Sequence, residues 1–173
     1  MPFLRGLDQR EMTRLQALAI LFLAEKEMHG AQGLELTDAV RLSIAVQACL
    51  PVLNLGLDWY EGWVGIIVYP GEFRGTKDEM DEHGVVHSID EGLSGEAWPG
   101  GPVVLSWQDA DMSEAGYNVV IHEFAHKLHM LRGDDEGFPE PPSGADVDAA
   151  AWRDALERAY ARFCTEIDSG AAT

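Results

Sequence analysis

The sequence predicts an α+β fold, with helices around a small mixed sheet. Its periodic apolar segments come in the order helices, strands, helices, which is typical of α+β folds and not of alternating βαβ units. The chain has 173 residues, of which 46% are hydrophobic, so we expect one domain over residues 1–173 with a buried core.

Two helices are predicted in the first third of the chain. Asp8 is placed to cap a helix over residues 9–28, which the dipeptide His29-Gly30 would end. Thr37 is placed to cap a second helix, Asp38–Cys49. Both segments carry apolar residues at helical spacing on one face, so each is expected to pack against the core.

The middle of the chain predicts the sheet. Residues 64–69, 85–89 and 103–107 are apolar or β-branched runs bounded by turn residues, whereas the polar segment 73–82 is expected to be a loop. If the strand over 103–107 lies at an edge, it could pair with an extended peptide. Five bulky aromatic residues are expected to be packing residues: Trp59, Tyr60, Trp63, Trp98 and Trp107.

Helices are predicted again in the last third. A long helix over residues 117–131 should end before Gly133, and residues 133–145 form an acidic loop rich in Pro and Gly. A last helix should begin at Asp146 or Asp148 and reach about residue 165. The tail 169–173 has no periodicity.

The charge balance excludes two classes of partner. The formal net charge is −18 at pH 7, and no cluster of Lys and Arg is available to neutralise nucleic-acid phosphates or anionic lipids. We therefore expect no direct nucleic-acid partner and no membrane partner. The acidity is best explained by solubility, with attraction of cations or basic peptides as the alternative.

With only two cysteines and no pattern of a signal peptide, the cytoplasm is the expected compartment.

Residues 122–126 read His-Glu-Phe-Ala-His, the HExxH pattern of zinc hydrolases. Residues four apart share one helix face, so the imidazoles of His122 and His126 can converge on one Zn²⁺ ion. Glu123 lies about 100° further round the helix, where its carboxylate flanks the metal and can act as general base toward a zinc-activated water molecule.

The rest of this helix supports that interpretation. An apolar stripe lies on one side of the helix, and the opposite side carries His122, His126 and His129. The alternative to a metal-binding role is that these histidines are simply a solvated polar face. His129 lies about 10.5 Å along the axis from His122, too far for both to join one tetrahedral site, and is expected beside the site or at the surface. The stripe consists of Tyr117, Val120, Ile121, Phe124, Ala125, Leu128 and Leu131.

A second pair of histidines has weaker metal-binding potential. His83 and His87 are also four residues apart, but they lie in a predicted loop or strand, where this spacing does not bring two side chains to one face. We do not expect a metal site there. Tyr117 is expected in the core, because it belongs to the apolar stripe.

Three stretches of the chain resemble the Mlc titration factor A family of zinc-dependent peptidases. They are residues 41–73, 94–110 and 116–133, the last reading GYNVVIHEFAHKLHMLRG. The resemblance implies a gluzincin-like catalytic fold, related to the protease domain of anthrax lethal factor, with zinc held by His122 and His126 and Glu123 catalytic. It also implies aminopeptidase-type activity, a cytoplasmic bacterial protein and binding of a glucose-responsive transcriptional repressor.

The chain departs from the family pattern at two places. His129 stands where the family usually has Asp. The family's third zinc ligand is a Glu on a later helix, with a Tyr a few residues before it, and no segment of this chain matches that context. The C-terminal helices of the family are therefore expected to be absent. None of the later acids is assigned as the ligand, including Glu136, Glu140, Glu157 and Glu166.

These observations predict a zinc metallopeptidase that acts on a peptide or protein substrate. With two protein ligands for zinc, weak metal binding is expected. The alternatives are a non-catalytic module that sequesters a transcriptional repressor and a fragment without activity.

Overall fold

A computed structural model describes residues 4–80, 86–111, 118–130 and 147–170, of which 74–80, 86–92 and 111 are described by their backbone alone. The fold is α+β, as predicted. The helices are α1 (Gln9–Glu25), α2 (Asp38–Cys49), α3 (Trp107–Asp111), α4 (Val119–Met130) and α5 (Ala149–Asp168), with a 3₁₀ helix at Leu57–Tyr60. The strands are β1 (Glu27–Gly30), β2 (Gly65–Tyr69), β3 (Phe73–Met80), β4 (Val86–Leu93), β5 (Gly95–Ala97) and β6 (Val103–Ser106).

Helix α1 begins where the sequence predicts and ends earlier. The Asp8 side chain accepts hydrogen bonds from the backbone N–H groups of Arg10 and Glu11, and the Glu11 side chain accepts from the Asp8 N–H, which completes a capping box. The predicted end at residue 28 was wrong, because the helix stops at Glu25 and residues 27–30 form β1. Pairing of β1 with β2 gives the backbone a tertiary hydrogen-bond partner that local helix propensity does not foresee.

The main sheet has four strands in the order β1-β2-β6-β5. The first three are parallel, and β5 is antiparallel to β6. Ile66 and Val68 of β2 and Val103 and Leu105 of β6 are fully buried on one face. Because Gly95 pairs with Leu105 and side chains alternate along a strand, Gly95 lies on this same face, which α4 covers. Strand β5 is therefore the edge strand that runs beside α4.

The segment expected to be a loop, 73–82, is mostly a strand. Residues Phe73–Met80 pair antiparallel with Val86–Leu93 in a two-stranded sheet of their own. The prediction was wrong because the paired backbone satisfies its own hydrogen bonds whatever the polarity of its side chains. The strand predicted at 85–89 is confirmed as β4, which continues to Leu93, and the short elements α3 and β5 were not predicted.

A cluster of aromatic rings forms the centre of the core. Phe124 of α4 contacts Phe22 of α1, Tyr60 and Trp63, with ring centroids 5.6, 5.3 and 5.7 Å apart. The hydroxyl of buried Tyr60 donates to the Ala48 carbonyl of α2 at 2.9 Å. These contacts join three helices around α4, and they confirm the packing role predicted for Tyr60 and Trp63. Trp98 is an exception, since 52% of it is exposed.

Helix α5 is attached to this core at its first turns. Asp148 caps it by accepting from the Ala151 N–H at 2.7 Å, as the sequence predicts, and the Trp152 ring lies 5.7 Å from the ring of Trp59. No residue of α5 is buried, and Tyr160 and Phe163 are exposed.

Within the four described ranges, no helix is both long enough and apolar enough to span a bilayer. The predicted loop 133–145 lies outside the described residues.

Candidate metal centre

The helix that carries the HExxH pattern is fixed at its N-terminus by Asn118. The Asn118 Oδ1 atom accepts a hydrogen bond from the Ile121 N–H at 2.9 Å, which is the contact of an N-cap residue. The Asn118 Nδ2 atom donates at 2.8 Å to Oε1 of Gln47, a buried residue of α2. The start of α4 is therefore tied to the neighbouring helix by a partly buried hydrogen bond.

The buried face of α4 differs from the predicted apolar stripe. Val120 and Phe124 are buried as predicted, but Ala125 is exposed and Ile121 is only partly buried. Two charged residues, Glu123 and Lys127, take the positions on the core side. The predicted stripe was misplaced because the pattern of apolar residues in a sequence does not show which charged side chains the fold buries. Tyr117 and Leu131 lie outside the described residues.

The structure places His122 and His126 together on the exposed face of α4, away from the core as predicted. Their Nε2 atoms are 3.1 Å apart and their rings are nearly perpendicular, with an interplanar angle of 83°. Two nitrogens bound to one tetrahedral zinc ion at about 2.0–2.1 Å lie roughly 3.3 Å apart. The spacing of the two imidazoles thus fits a shared metal ion.

The protonation state of His126 also favours metal binding. Partial burial, followed by the nearby imidazoles of His122 and His129, lowers the pKa of His126. A lower pKa makes the neutral imidazole the dominant form near pH 7, and the neutral form is the one that offers a lone pair to a metal.

The side chain of Glu123 lies between its own helix, α4, and the edge strand β5. Only 4% of Glu123 is exposed. Burial, together with the negative charge of Glu96 on β5, raises the pKa of Glu123 to about 7. A carboxyl group with this pKa can both accept and donate a proton at neutral pH, as a general acid–base catalyst must.

A third metal ligand is not found in the part of the chain that the structure describes, where no group of three His, Cys, Asp or Glu side chains is close enough to hold an ion. Glu157 and Glu166 lie at exposed positions of α5. His129 is partly buried, and its Nε2 atom has no hydrogen-bond partner among the described residues. Glu136, Glu140, His83 and the side chain of His87 lie outside those residues.

Comparison with known proteins decides the family. The model of the family described as glucose-regulated metallo-peptidase M90 matches residues 1–173. The chain belongs to the M90 family. A metal ion is therefore the cofactor typical of its relatives, and the two histidines on α4 are the residues whose geometry fits one.

Relatives of this M90 chain carry the name Mlc titration factor A. The proteins of that name from Salmonella arizonae and Salmonella typhi are each 39% identical to it over 170 residues, which is 96% of this chain. The same identity and coverage hold for the protein from Escherichia fergusonii. The chain spans 66% of the length of the first of these relatives and 63% of the other two.

One buried residue next to the candidate metal centre was not predicted from the sequence. Lys127 follows His126 directly and is 3% exposed. Burial, followed by the positive charge of Lys26, lowers the pKa of Lys127 to about 8. Its Nζ atom donates to the backbone carbonyls of Trp98 and Gly101, which lie in the turn that joins β5 to β6. A lysine inside a helical segment gives no signal for this contact, because its partners are backbone groups about 26–29 residues away.

Proposed function

We propose that this chain carries the zinc site of a metallopeptidase, with His122 and His126 as metal ligands and Glu123 as general base. The observation that carries the proposal is the 3.1 Å separation of the two Nε2 atoms on a helix whose intervening residue Glu123 is buried. We also propose that the fold is zincin-like, because an HExxH helix packs against the edge strand of a mixed sheet.

Zinc at such a site supplies Lewis-acid polarisation of a carbonyl group and lowers the pKa of water to about 7. The chain's own contribution is the Glu123 carboxylate. It takes a proton from the attacking water and passes it to the nitrogen of the leaving amine. Its burial against β5 keeps it at one position for both transfers.

The edge strand is the proposed place for the substrate. The idea that residues 103–107 form an edge was wrong, because β6 lies between β2 and β5 and has a neighbour on each side. Strand β5 has β6 on one side only, among the described residues. An extended peptide can therefore pair with the outer side of β5, next to Glu123.

The finer features of the activity rest on the family resemblance and on charge. We propose aminopeptidase-like cleavage, and a net charge of −18 favours peptides with a free protonated amino group over acidic ones. We also propose a cytoplasmic location. It is supported by the free thiols of Cys49 and Cys164, which suit a reducing compartment.

Zinc titration and peptide cleavage together test the proposal. Calorimetric titration measures zinc binding, and amino-acid p-nitroanilides and fluorescence-quenched peptides measure exo- and endo-cleavage. Glu123→Gln should still bind zinc but lose at least about 100-fold in kcat, since general base catalysis contributes 10²–10⁴. His126→Ala should lose zinc, and Glu157→Gln, on exposed α5, should match the wild type. Full activity of Glu123→Gln would exclude the mechanism.

A second candidate function is binding of a glucose-responsive transcriptional repressor without cleavage. The name of the relatives, Mlc titration factor A, favours it. Purified repressor and the Glu123→Gln chain distinguish the two functions. If binding is the function, the repressor stays intact and co-elutes equally well with the wild type and the variant. If proteolysis is the function, only the wild type with zinc produces fragments.

A further inference from the structure

Lys127 connects the metal-binding helix to the turn that follows the edge strand. Its Nζ atom lies 2.5 Å from the Trp98 carbonyl oxygen and 2.6 Å from that of Gly101. The same ammonium group lies 4.8 Å from the centroid of the Trp63 ring, a cation–π distance. Lys127 is 3% exposed and both hydrogen bonds are partly buried, and a charged donor bonds more strongly in such a site than at the surface.

The turn itself is tight, and Lys127 shares the Trp98 carbonyl with a hydrogen bond of the turn's own backbone. The Gly101 N–H donates to the Trp98 carbonyl at 3.0 Å, and the Trp98 N–H donates to Pro102 at 3.2 Å. A Cβ atom on Gly101 would lie 2.9 Å from Cβ of Trp98, so the close approach requires glycine. Trp98 directly follows β5, so any shift of this turn is transmitted to the edge strand.

A shift of β5 matters for the proposed site because β5 contacts the side chain of Glu123. A Cβ atom placed on Gly95 of β5 would be 2.5 Å from Oε1 of Glu123. Glu123 and Lys127 therefore lie on the same helix. Glu123 contacts the start of β5, and Lys127 binds the turn that follows the end of β5.

We propose that Lys127 is a positioning residue: its ammonium group fastens the 98–101 turn to α4 and so sets where β5 lies relative to Glu123. The proposal builds on the function proposed above, in which a peptide pairs with β5. It assigns Lys127 a role in substrate binding through β5, without direct contact with the reacting atoms.

Lys26 provides a matched control within the same molecule. Its Nζ atom also donates to two backbone carbonyls, of Tyr60 at 2.6 Å and of Trp63 at 2.7 Å, and it lies 4.3 Å from the same Trp63 ring. These carbonyls belong to the segment before β2 and not to the turn after β5. Loss of Lys26 therefore removes equivalent bonds without freeing the edge strand.

The first experiment needs no enzymatic activity. Amide hydrogen exchange is followed by NMR in Lys127→Met and Lys26→Met at denaturant concentrations that match their free energies of unfolding. In Lys127→Met, the amides of Trp98, Gly101 and Ser106 should exchange at least about tenfold faster than in Lys26→Met, because their hydrogen bonds span the freed turn and β5. Equal exchange in the two variants would overturn the proposal.

The second experiment separates substrate binding from chemistry. With quenched peptides and saturating zinc, Lys127→Met should raise KM at least about fivefold and change kcat less than threefold, because α4 keeps its ligands and its base. Lys26→Met should leave both constants within twofold. An unchanged KM in Lys127→Met would contradict the proposal. If the wild type shows no hydrolysis that depends on Glu123, the proposed function fails, and the exchange experiment still decides the role of Lys127.

A milder pair of variants covers the case in which Lys127→Met does not fold. Lys127→Arg keeps a cation and N–H donors, but a wide guanidinium cannot copy both short bonds of an ammonium group. It should raise exchange at Trp98 and Gly101 by a smaller factor, with no such rise in Lys26→Arg. The absence of any rise in Lys127→Arg relative to Lys26→Arg would count against the proposal.

Discussion

The backbone of Gly95 lies directly against the side chain of Glu123. A Cβ atom on Gly95 would be 2.5 Å from Oε1, 2.6 Å from Cγ and 2.7 Å from Cδ of Glu123, which are distances that real Cβ contacts do not reach. Glycine at this point of β5 therefore makes room for the carboxylate that the proposed chemistry uses.

Gly95→Ala should displace the Glu123 carboxylate and lower kcat by at least about tenfold, since small misplacements of catalytic groups have large effects on rate. Overpacking should also lower the free energy of unfolding by about 1–3 kcal/mol. Zinc affinity should change little, because His122 and His126 lie on the exposed side of the helix. Steady-state kinetics, urea denaturation and zinc titration measure the three effects.

Gly65→Ala is the matched control for this substitution. Gly65 also lies in a strand of the main sheet, but within the described ranges a Cβ atom there would meet only Cβ of Pro102, at an ordinary 3.5 Å. Its kcat should equal that of the wild type. If Gly95→Ala is as active as Gly65→Ala, the contact with Glu123 has no catalytic importance.

Glu123→Gln should stabilise the metal-free protein at alkaline pH. The folded-state pKa of Glu123 is raised from an ordinary 4.5 to about 7, so between these values the folded state binds more protons than the unfolded state, and stability falls as pH rises. The neutral amide avoids this loss. At one pKa unit per 1.36 kcal/mol, the variant should be more stable than the wild type at pH 8 by up to about 3 kcal/mol.

Thermal denaturation in EDTA at pH 5 and pH 8 measures this difference, which should shrink at the lower pH because the wild-type carboxyl is then mostly protonated. EDTA is needed, since a bound cation would favour the carboxylate. Glu157→Gln, on the exposed surface of α5, should show no such dependence. If the Glu123→Gln chain is no more stable than the wild type at pH 8, burial does not raise the pKa of this carboxyl group.

Local sequence patterns predict where α1, α2 and α5 begin and that His122 and His126 share one helix face. The capping residues Asp8, Thr37 and Asp148 act within three residues of themselves, and the spacing of His122 and His126 has its meaning within one helix. Such features depend on backbone geometry alone, so tertiary structure does not alter them.

Features that depend on distant partners could not be predicted in this way. Residues 27–30 become a strand only because β2 lies beside them, and the contact of Gly95 with Glu123 joins parts of the chain 28 residues apart. The burial of Lys127 likewise depends on carbonyls supplied by a turn on another element. The candidate residues His122, Glu123 and His126 could thus be picked out in the sequence, but the residues that surround them could not.

Phe124→Ala should destabilise the protein strongly. Phe124 is fully buried and contacts the rings of Phe22, Tyr60 and Trp63, so its loss leaves a cavity where three helices meet. The expected cost is about 3–5 kcal/mol of unfolding free energy, measured by urea denaturation. Leu21→Ala, on the exposed outer face of α1, should stay within about 0.5 kcal/mol of the wild type. Similar stabilities for the two variants would contradict a core centred on Phe124.

Asn118→Ala should reduce stability through two separate contacts. It removes the cap of α4, which is worth about 1 kcal/mol, and it deprives buried Gln47 Oε1 of its donor, which costs a further 1–3 kcal/mol or so. Thr37→Ala removes only the side-chain cap of α2 and should cost about 1 kcal/mol. Urea denaturation of both variants therefore separates the cap from the buried contact.

A double-mutant cycle with Gln47→Met tests the second contact directly. In the Gln47→Met background the buried acceptor is gone, so Asn118→Ala should cost only the cap, about 1 kcal/mol. Asn118→Asp should lie between the wild type and Asn118→Ala, because its carboxylate keeps the cap and suits the positive end of the helix dipole but has no N–H to donate to Gln47. If Asn118→Ala costs the same in both backgrounds, the hydrogen bond to Gln47 does not stabilise the start of α4.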